Sequence, residues 1–433
     1  MSIKSFILAA ALLPAAAFAD INIQRWHTPQ GTQVLLVERH ENPIVDVEIS
    51  FKGAGSVFNP DSSTQTAEFT AALLTDGTKS LDEEAFNRRS NDIAADIASS
   101  SGQETATVSL RSLSQSTNLT AALALLNESL TAPRFDAAVF ARRKQQAVTA
   151  LKQRETTPDF TAERMFTRLI YPHHPYGNSA NITVAGLEKV SLDDIRAFHR
   201  SRYAKNNAVI AIVGDVTRIQ AEKLAAAALD GLPDTTQTDS RIAPVDKPQA
   251  RTSEMPFAGE QAHIVLGMPL IQRNDPDYYA LVAGNYILGG GGFDSRLMKK
   301  LRDEKGYTYG VYSILEPASQ AGPLRIEYST QKKNARASLA NARSVIETFI
   351  AQGPTEEELK QAKANIVGGF PLRFDSNAKL VKYLSLIGVY NLPDDYLQRY
   401  PEAVSKLTVQ QIKDAWRRRV NLSDFSTVVV GAE

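Results

Sequence analysis

The chain has 433 residues, 43% of them hydrophobic, with 48 basic residues cancelling 48 acidic ones and no cysteine. No basic block or aromatic-interleaved patch stands out, which argues against a nucleic-acid partner, and without thiols the fold owes nothing to disulfides. Length compensates, because a 200-residue domain buries roughly 70% of its unfolded surface and can rest on its core alone.

The opening stretch, MSIKSFILAAALLPAAAFAD, has one early lysine, Lys4, an apolar run from Phe6, and Ala17-Phe18-Ala19 ahead of Asp20. This predicts a secretory signal peptide, residues 1–19, cleaved after Ala19. Its apolar run contains Pro14 and is too short for a spanning helix, which needs about 20 residues. No later window is longer, so the expectation is a soluble mature chain in a bacterial periplasm, with no membrane span.

Two strands follow, QVLLVE from Gln33 and IVDVEISF from Ile44, which alternate or run apolar as sheet strands do. EFTAALLTDGT, 68–78, reads as the opening of a buried helix, packed through Phe69, Leu73 and Leu74. One long helical stretch is predicted over 119–154. YPHHPYG, from Tyr171, reads as a turn between helices, because its prolines and glycine dictate turn geometry.

A repeat of long period then appears. SLDDIRAFHRSRYAKNNAVIAIVGD, from Ser191, lies on TVQQIKDAWRRRVNLSDFSTVVVGA, from Thr408, at a constant offset of 217 residues. Ser191 and Thr408 each cap a predicted helix, with Asp194 and Gln411 three residues on, and each helix leads to an apolar strand ended by Gly214 or Gly431. The chain is therefore read as a signal peptide, 1–19, a first domain, 20–235, a polar proline-bearing linker, 236–254, and a second domain, 255–433. HIVLGMPL and LRIEYST supply strands to the second domain, and Thr355 with Glu358 forms a capping box before a helix over 355–367. Runs of strands followed by runs of helices give an α+β class: two tandem homologous domains, each a mainly antiparallel sheet packed with helices.

The longest chemical signal is LGGGGFDSRLMKKLRDEKGYTYGVYS, 288–313. Gly289, Gly290, Gly291 and Gly292 remove side chains and let a backbone or a ligand approach closely. GFDS follows where a phosphate loop needs G-K-[ST], so the run is either a flexible joint or a peptide-facing loop. Asp294 or Ser295 starts a short helix with Leu297, Met298 and Leu301 inward and Arg296, Lys299 and Lys300 outward. Arg302 ends it, and Tyr309 is placed in the strand YTYGVYS. Singly these are a surface charge and a core aromatic; as a pair, guanidinium and phenol are both donors, suited to a peptide carbonyl and its developing oxyanion.

Metal and covalent chemistry find less support. The six histidines, His27, His40, His173, His174, His199 and His263, show no i, i+3 or i, i+4 pair of the kind that sets two zinc ligands on a helix. There is no cysteine, no G-x-S-x-G elbow and no complete S-x-x-K motif set.

The order of elements, the duplication, GTKSLDEEAF, HPYG and above all GGGGFDSRLMKKLRDEKGYTYGVYS resemble the M16 peptidases, the pitrilysin, insulin-degrading and mitochondrial-processing group, over essentially the whole mature chain. The resemblance implies a metallohydrolase-type fold of the M16/LuxS kind. Active members carry an inverted zinc motif, H-x-x-E-H, just ahead of a G-T pair, with a distal Glu as third ligand. Counted back from Gly77-Thr78, its positions are Glu68, Ala71 and Ala72, and the distal ligand falls near Ala150, with Glu155 and Glu163 nearby. The zinc site is thus degenerate, whereas the family's second-domain pair remains as Arg302 and Tyr309. What the resemblance implies is half of an active site: no metal bound by this chain, zinc in an H-x-x-E-H partner, and a heterodimer that cleaves peptides with Arg302 and Tyr309 on the substrate. The alternative is a catalytically inactive, structural or peptide-binding homologue. The resemblance also implies a substrate-pairing edge strand, sought around Ala98–Thr107, where a plain hairpin or loop is the other reading.

Overall fold

Val34 and Leu36 point to one side of their strand and Leu35 and Val37 to the other, and all four are buried, the mark of a strand covered on both faces. A computed structural model describes residues 21–61, 63–247 and 249–431, and the expected signal peptide lies outside the described residues. The first half builds a six-stranded sheet from β1 (Gln24–His27), β2 (Gln33–Glu38), β3 (Ile44–Lys52), β4 (Asp96–Ser101), β5 (Thr105–Leu113) and β6 (Ala208–Gly214) in the order β1-β2-β6-β3-β5-β4. The second builds a five-stranded sheet from β7 (Thr252–Met255), β8 (Gln261–Ile271), β9 (Val311–Leu315), β10 (Gly322–Gln331) and β11 (Ser426–Val430) in the order β7-β11-β8-β10-β9. Only the β2–β6 and β11–β7 pairs are parallel, so the α+β class with mainly antiparallel sheets holds.

The repeat read from the sequence is exact at its caps. Ser191 and Asp194, and likewise Thr408 and Gln411, complete reciprocal capping boxes on helices Leu192–Arg202 and Val409–Arg419. Both strands that follow end on a left-handed glycine, Gly214 (φ +144°) and Gly431 (φ +92°). A Cβ there would stand 2.1 Å from the Ile44 carbonyl oxygen and 2.5 Å from that of Gln261, so each copy needs glycine where the chain leaves beneath a neighbouring strand.

The halves also exchange helices. One face of the first sheet packs on helices of its own half, through Val34, Leu36, Ile210 and Ile212. Its other face, Leu35, Val37, Val209 and Val213, joins Leu380, Leu384 and Ile387 of helix Asn377–Val389, which belongs to the second half. In return, helix Pro158–Ile170 lays Ala162, Phe166 and Ile170 on Val265, Val428 and Val430 of the second sheet. The two helices correspond at nearly the repeat offset. Close approach is built in: a Cβ on Gly388 would stand 2.4 Å from Val209 Cγ1. Ser50 of β3 hydrogen-bonds Ser385 at 2.8 Å in the same contact.

Three expectations change. The helix expected over 119–154 is two, Ser116–Thr131 and Ala137–Arg154. Pro133 disfavours helix at the residue before it, Phe135 takes φ +47°, and Asp136 caps the second helix by accepting from the Ala138 and Val139 amides. The segment 236–254 shows no helix or strand among its described residues before Thr252, where it enters the second sheet as β7, parallel to β11. Arg296 does not face outward: it pairs with Glu358 at 2.7 Å and donates to the Gly353 carbonyl at 2.9 Å.

Candidate functional site

In the first half, helix Thr66–Leu73 buries Phe69 and Leu73, with Leu74 just beyond, and Phe69 meets Phe140 of helix Ala137–Arg154 edge-on at 5.5 Å. This contact docks the helix that carries Glu68, Ala71 and Ala72 beside the one that carries Ala150. Gln65, at the start of the first helix, and Ala150 both line a cavity of about 260 Å³. The Glu68 carboxylate accepts from Asn59 Nδ2 at 2.9 Å, and burial raises its pKa above the ordinary carboxylate value. Ala72 is half-buried. Ala71 is buried, and its backbone carbonyl accepts from the Ser99 hydroxyl of β4.

A zinc site wants three or four thiolate, imidazole or carboxylate ligands in a tetrahedral array. Three of the four frame positions, Ala71, Ala72 and Ala150, end in methyl groups, and Glu68 alone carries a ligating oxygen. The two nearby carboxylates are engaged elsewhere, Glu155 with Arg164 at 2.7 Å and Glu163 with Arg325 at 3.8 Å. Among the described residues no group of three or more His, Asp or Glu side chains could hold a metal ion. The residues present therefore do not fit zinc. Four of the histidines serve the fold or surface instead: His40 bonds Asp215, His174 the Ala243 carbonyl, His199 the Leu130 carbonyl and His263 Ser329, all between 2.7 and 2.8 Å.

In the second half, helix Tyr278–Asn285 widens into a π-type turn over Tyr286–Gly290, and a second one spans Lys299–Glu304. Such turns occur frequently at functional sites. The glycine run starts inside the first of them and continues past it, and its members differ. A Cβ on Gly289 would stand 2.7 Å from Ser313 N, so this buried residue lets the turn press on edge strand β9, where Asn285 Nδ2 also donates to the Ser313 carbonyl at 3.1 Å. Gly292 (φ +67°) meets nothing within 4 Å, so the run is closely packed at one end and open at the other.

Arg302 sits in the second π-type turn with its side chain 40% exposed, its guanidinium 4.6 Å from the centroid of the Phe293 ring and 3.4 Å from Asp303 Oδ1. Tyr309 is not in a strand: β9 begins at Val311, and Tyr309 stands in the preceding loop, 94% exposed. That loop is tied down on both sides. Thr330 donates to the Tyr307 carbonyl at 2.7 Å, and Thr308 donates to the Gly310 carbonyl at 2.8 Å. Phe293 and Tyr312 are exposed beside this pair in the sequence, and no periodicity announced it. Arg302 and Tyr309 are thus a guanidinium and a phenol fixed by their backbones and presented outward.

Sequence reasoning also passed over Glu104, at the β4–β5 turn. It accepts from the Tyr176 hydroxyl and from Ser319 N and Oγ at 3.0 and 2.7 Å, clasping one half to the other. Its only advance sign was Tyr176 within HPYG. β4 is the outer strand of the first sheet, so the Ala98–Thr107 region holds both an edge strand and the hairpin it shares with β5.

Comparison with known proteins completes the picture. Residues 33–183 match the family model described as insulinase (peptidase family M16), and residues 189–366 the one described as peptidase M16 inactive domain. A crystal structure of a peptidase M16 inactive domain from Pseudomonas fluorescens is 33% identical and superposes with a TM-score of 0.91 over 95% of this chain and 98% of that one. A Helicobacter pylori protein named non-peptidase homolog YmxG is 26% identical over 439 residues, 99% of this chain and 98% of that protein. A protease structure from Helicobacter pylori shares the fold at 19% identity, with a TM-score of 0.86 over 95% of this chain and 99% of that one. Among the described residues no helix is long and apolar enough to cross a membrane.

Proposed function

Because the chain belongs to the peptidase M16 family, we propose that it is the metal-free subunit of an exported, periplasmic M16-type zinc peptidase, lending Arg302 and Tyr309 to a heterodimer whose H-x-x-E-H subunit holds the zinc. The observation that carries this reading is the presentation of the pair. Among the described residues the Arg302 guanidinium has only its neighbour Asp303 and the Phe293 ring for company, and Tyr309 stands almost wholly in solvent. Donors that the chain itself uses so little are available to a peptide carbonyl and its oxyanion on another surface. The open end of the glycine run, Gly292, precedes Phe293, whose ring the Arg302 guanidinium faces, and gives a peptide backbone room to approach. The exported location rests on the Lys4–Ala19 pattern at the N-terminus.

The test is peptide hydrolysis by this chain reconstituted with an H-x-x-E-H subunit. The chain alone is expected to be inactive and the pair active. Arg302→Ala is expected to lower kcat by about 10²–10³, the cost of one oxyanion donor, and Tyr309→Phe to lower it too, both with unchanged thermal stability because both side chains are exposed. Unchanged rates in both variants would refute the role. A second reading has its own support in the non-peptidase homolog and the inactive-domain structure: a peptide-binding protein without hydrolysis, for which edge strand β4 offers main-chain pairing. Failure of every zinc subunit to confer hydrolysis, with peptide binding retained, selects that reading.

A further inference from the structure

Between the halves lies a second, larger cavity of about 640 Å³, within the range of small-ligand sites. The first half contributes helix Pro158–Ile170 and the turn after it; the second contributes Arg273, Arg373 and the rings of Tyr278, Tyr390 and Tyr400. Its charges are unbalanced. The lining carboxylates Glu163 and Glu316 are both taken by Arg325, at 3.8 and 3.3 Å. Neither Arg273 nor Arg373 has a carboxylate partner among the described residues. Arg273 is held in place by donating to the Pro317 carbonyl at 3.1 Å and the Tyr278 hydroxyl at 3.3 Å, with its guanidinium 5.2 Å from the Tyr390 ring centroid. Arg373 also has Tyr278 and Tyr400 among its neighbours. Burial keeps the Tyr390 and Tyr400 phenols above their ordinary pKa, so they remain donors.

Three buried atoms in this wall have no hydrogen-bond partner among the described residues; Arg325 Nε still has Glu327 at 3.1 Å as its ion pair, which leaves Arg273 Nε and Asn285 Oδ1. One is a cationic donor and the other a neutral acceptor, while the Asn285 amide nitrogen is already committed to Ser313. A ligand that carries an anion and an N–H satisfies both, and the tyrosine wall favours an apolar or aromatic body. We propose that this cavity binds the C-terminal residue of a peptide, its carboxylate on the Arg273 and Arg373 guanidiniums, its amide N–H on Asn285 and its side chain against the tyrosines. The site needs no partner subunit and does not use Arg302 or Tyr309, so it stands or falls apart from the heterodimer.

The experiment is calorimetric titration of the full chain with Gly-Gly-Phe as the free acid, with its C-terminal amide, and with 3-phenylpropionate. The free acid is expected to bind, the amide about tenfold more weakly or worse for loss of the charge-assisted contacts, and 3-phenylpropionate more weakly for loss of the N–H. Arg373→Gln, on an exposed residue, is expected to weaken the free acid about tenfold at unchanged melting temperature. Equal affinity for acid and amide, an indifferent Arg373→Gln, or no binding of the acid at about 10 mM overturns the site. Equal binding of 3-phenylpropionate overturns its assignment to a peptide.

Discussion

Cutting the chain before its linker, to leave residues 21–235, removes helix Asn377–Val389 from the first sheet. Leu35, Val37, Val209 and Val213, each 5% exposed or less, then face water. Burying one such side chain is worth about 1.5–3 kcal/mol, so the four together forfeit about 6–12 kcal/mol. That equals most of the 5–15 kcal/mol by which native proteins are typically stable. Glu48 and Ser50 of β3 lose Ser385 in the same step, leaving polar groups beneath a bared apolar face. Urea denaturation followed by circular dichroism, with dye binding to exposed apolar surface, compares the fragment with residues 21–433. The fragment is expected to bind dye and to show no cooperative transition, or to associate through the bared face. A monomeric fragment unfolding cooperatively at the midpoint of the full chain would refute the claim that the exchanged helices hold the halves.

Gly388→Val places a Cβ 2.4 Å from Val209 Cγ1 and 2.7 Å from Leu35 Cδ1, and the overpacking is expected to cost about 1–3 kcal/mol in urea; an unchanged midpoint would mean the helix shifts freely. His199, buried, has its pKa lowered by desolvation from 6.5 to about 4. Between these values the unfolded chain binds the extra proton, so stability falls as pH drops through 6.5 and on toward 4, by about 3 kcal/mol in all. His199→Gln is expected to remove that part of the slope when unfolding free energies are measured from pH 7 to 4, and a parallel pair of curves would contradict the assignment. Glu104→Ala strands the donors of Tyr176 and Ser319 and is expected to cost about 3 kcal/mol, read from the urea midpoint.

What could be read from residue order was local. Capping boxes at Ser191, Thr355 and Thr408 need only a side chain and an amide three residues away, and all three form. The break at Pro133 was equally local, announced by the proline and by Asp136. The helix exchange was not, because an apolar stripe on Asn377–Val389 says that the helix is buried and nothing about which sheet buries it. Tyr309 was misplaced for a related reason: YTYGVYS alternates like a strand, but Gly306 (φ +61°) and the Thr308 turn hold its first residues off the sheet. At Ala71 residue order shows an alanine at a ligand position, and only the third dimension adds that the Ser99 hydroxyl of β4 bonds its carbonyl.

Each half lends the other a helix, which has a mechanical consequence. Parting the halves would pull two helices off two sheets at once, so the crease between them is a rivet and not a hinge. In the heterodimer proposed above, a long polypeptide is then admitted by the docking and undocking of entire subunits and not by parting the halves.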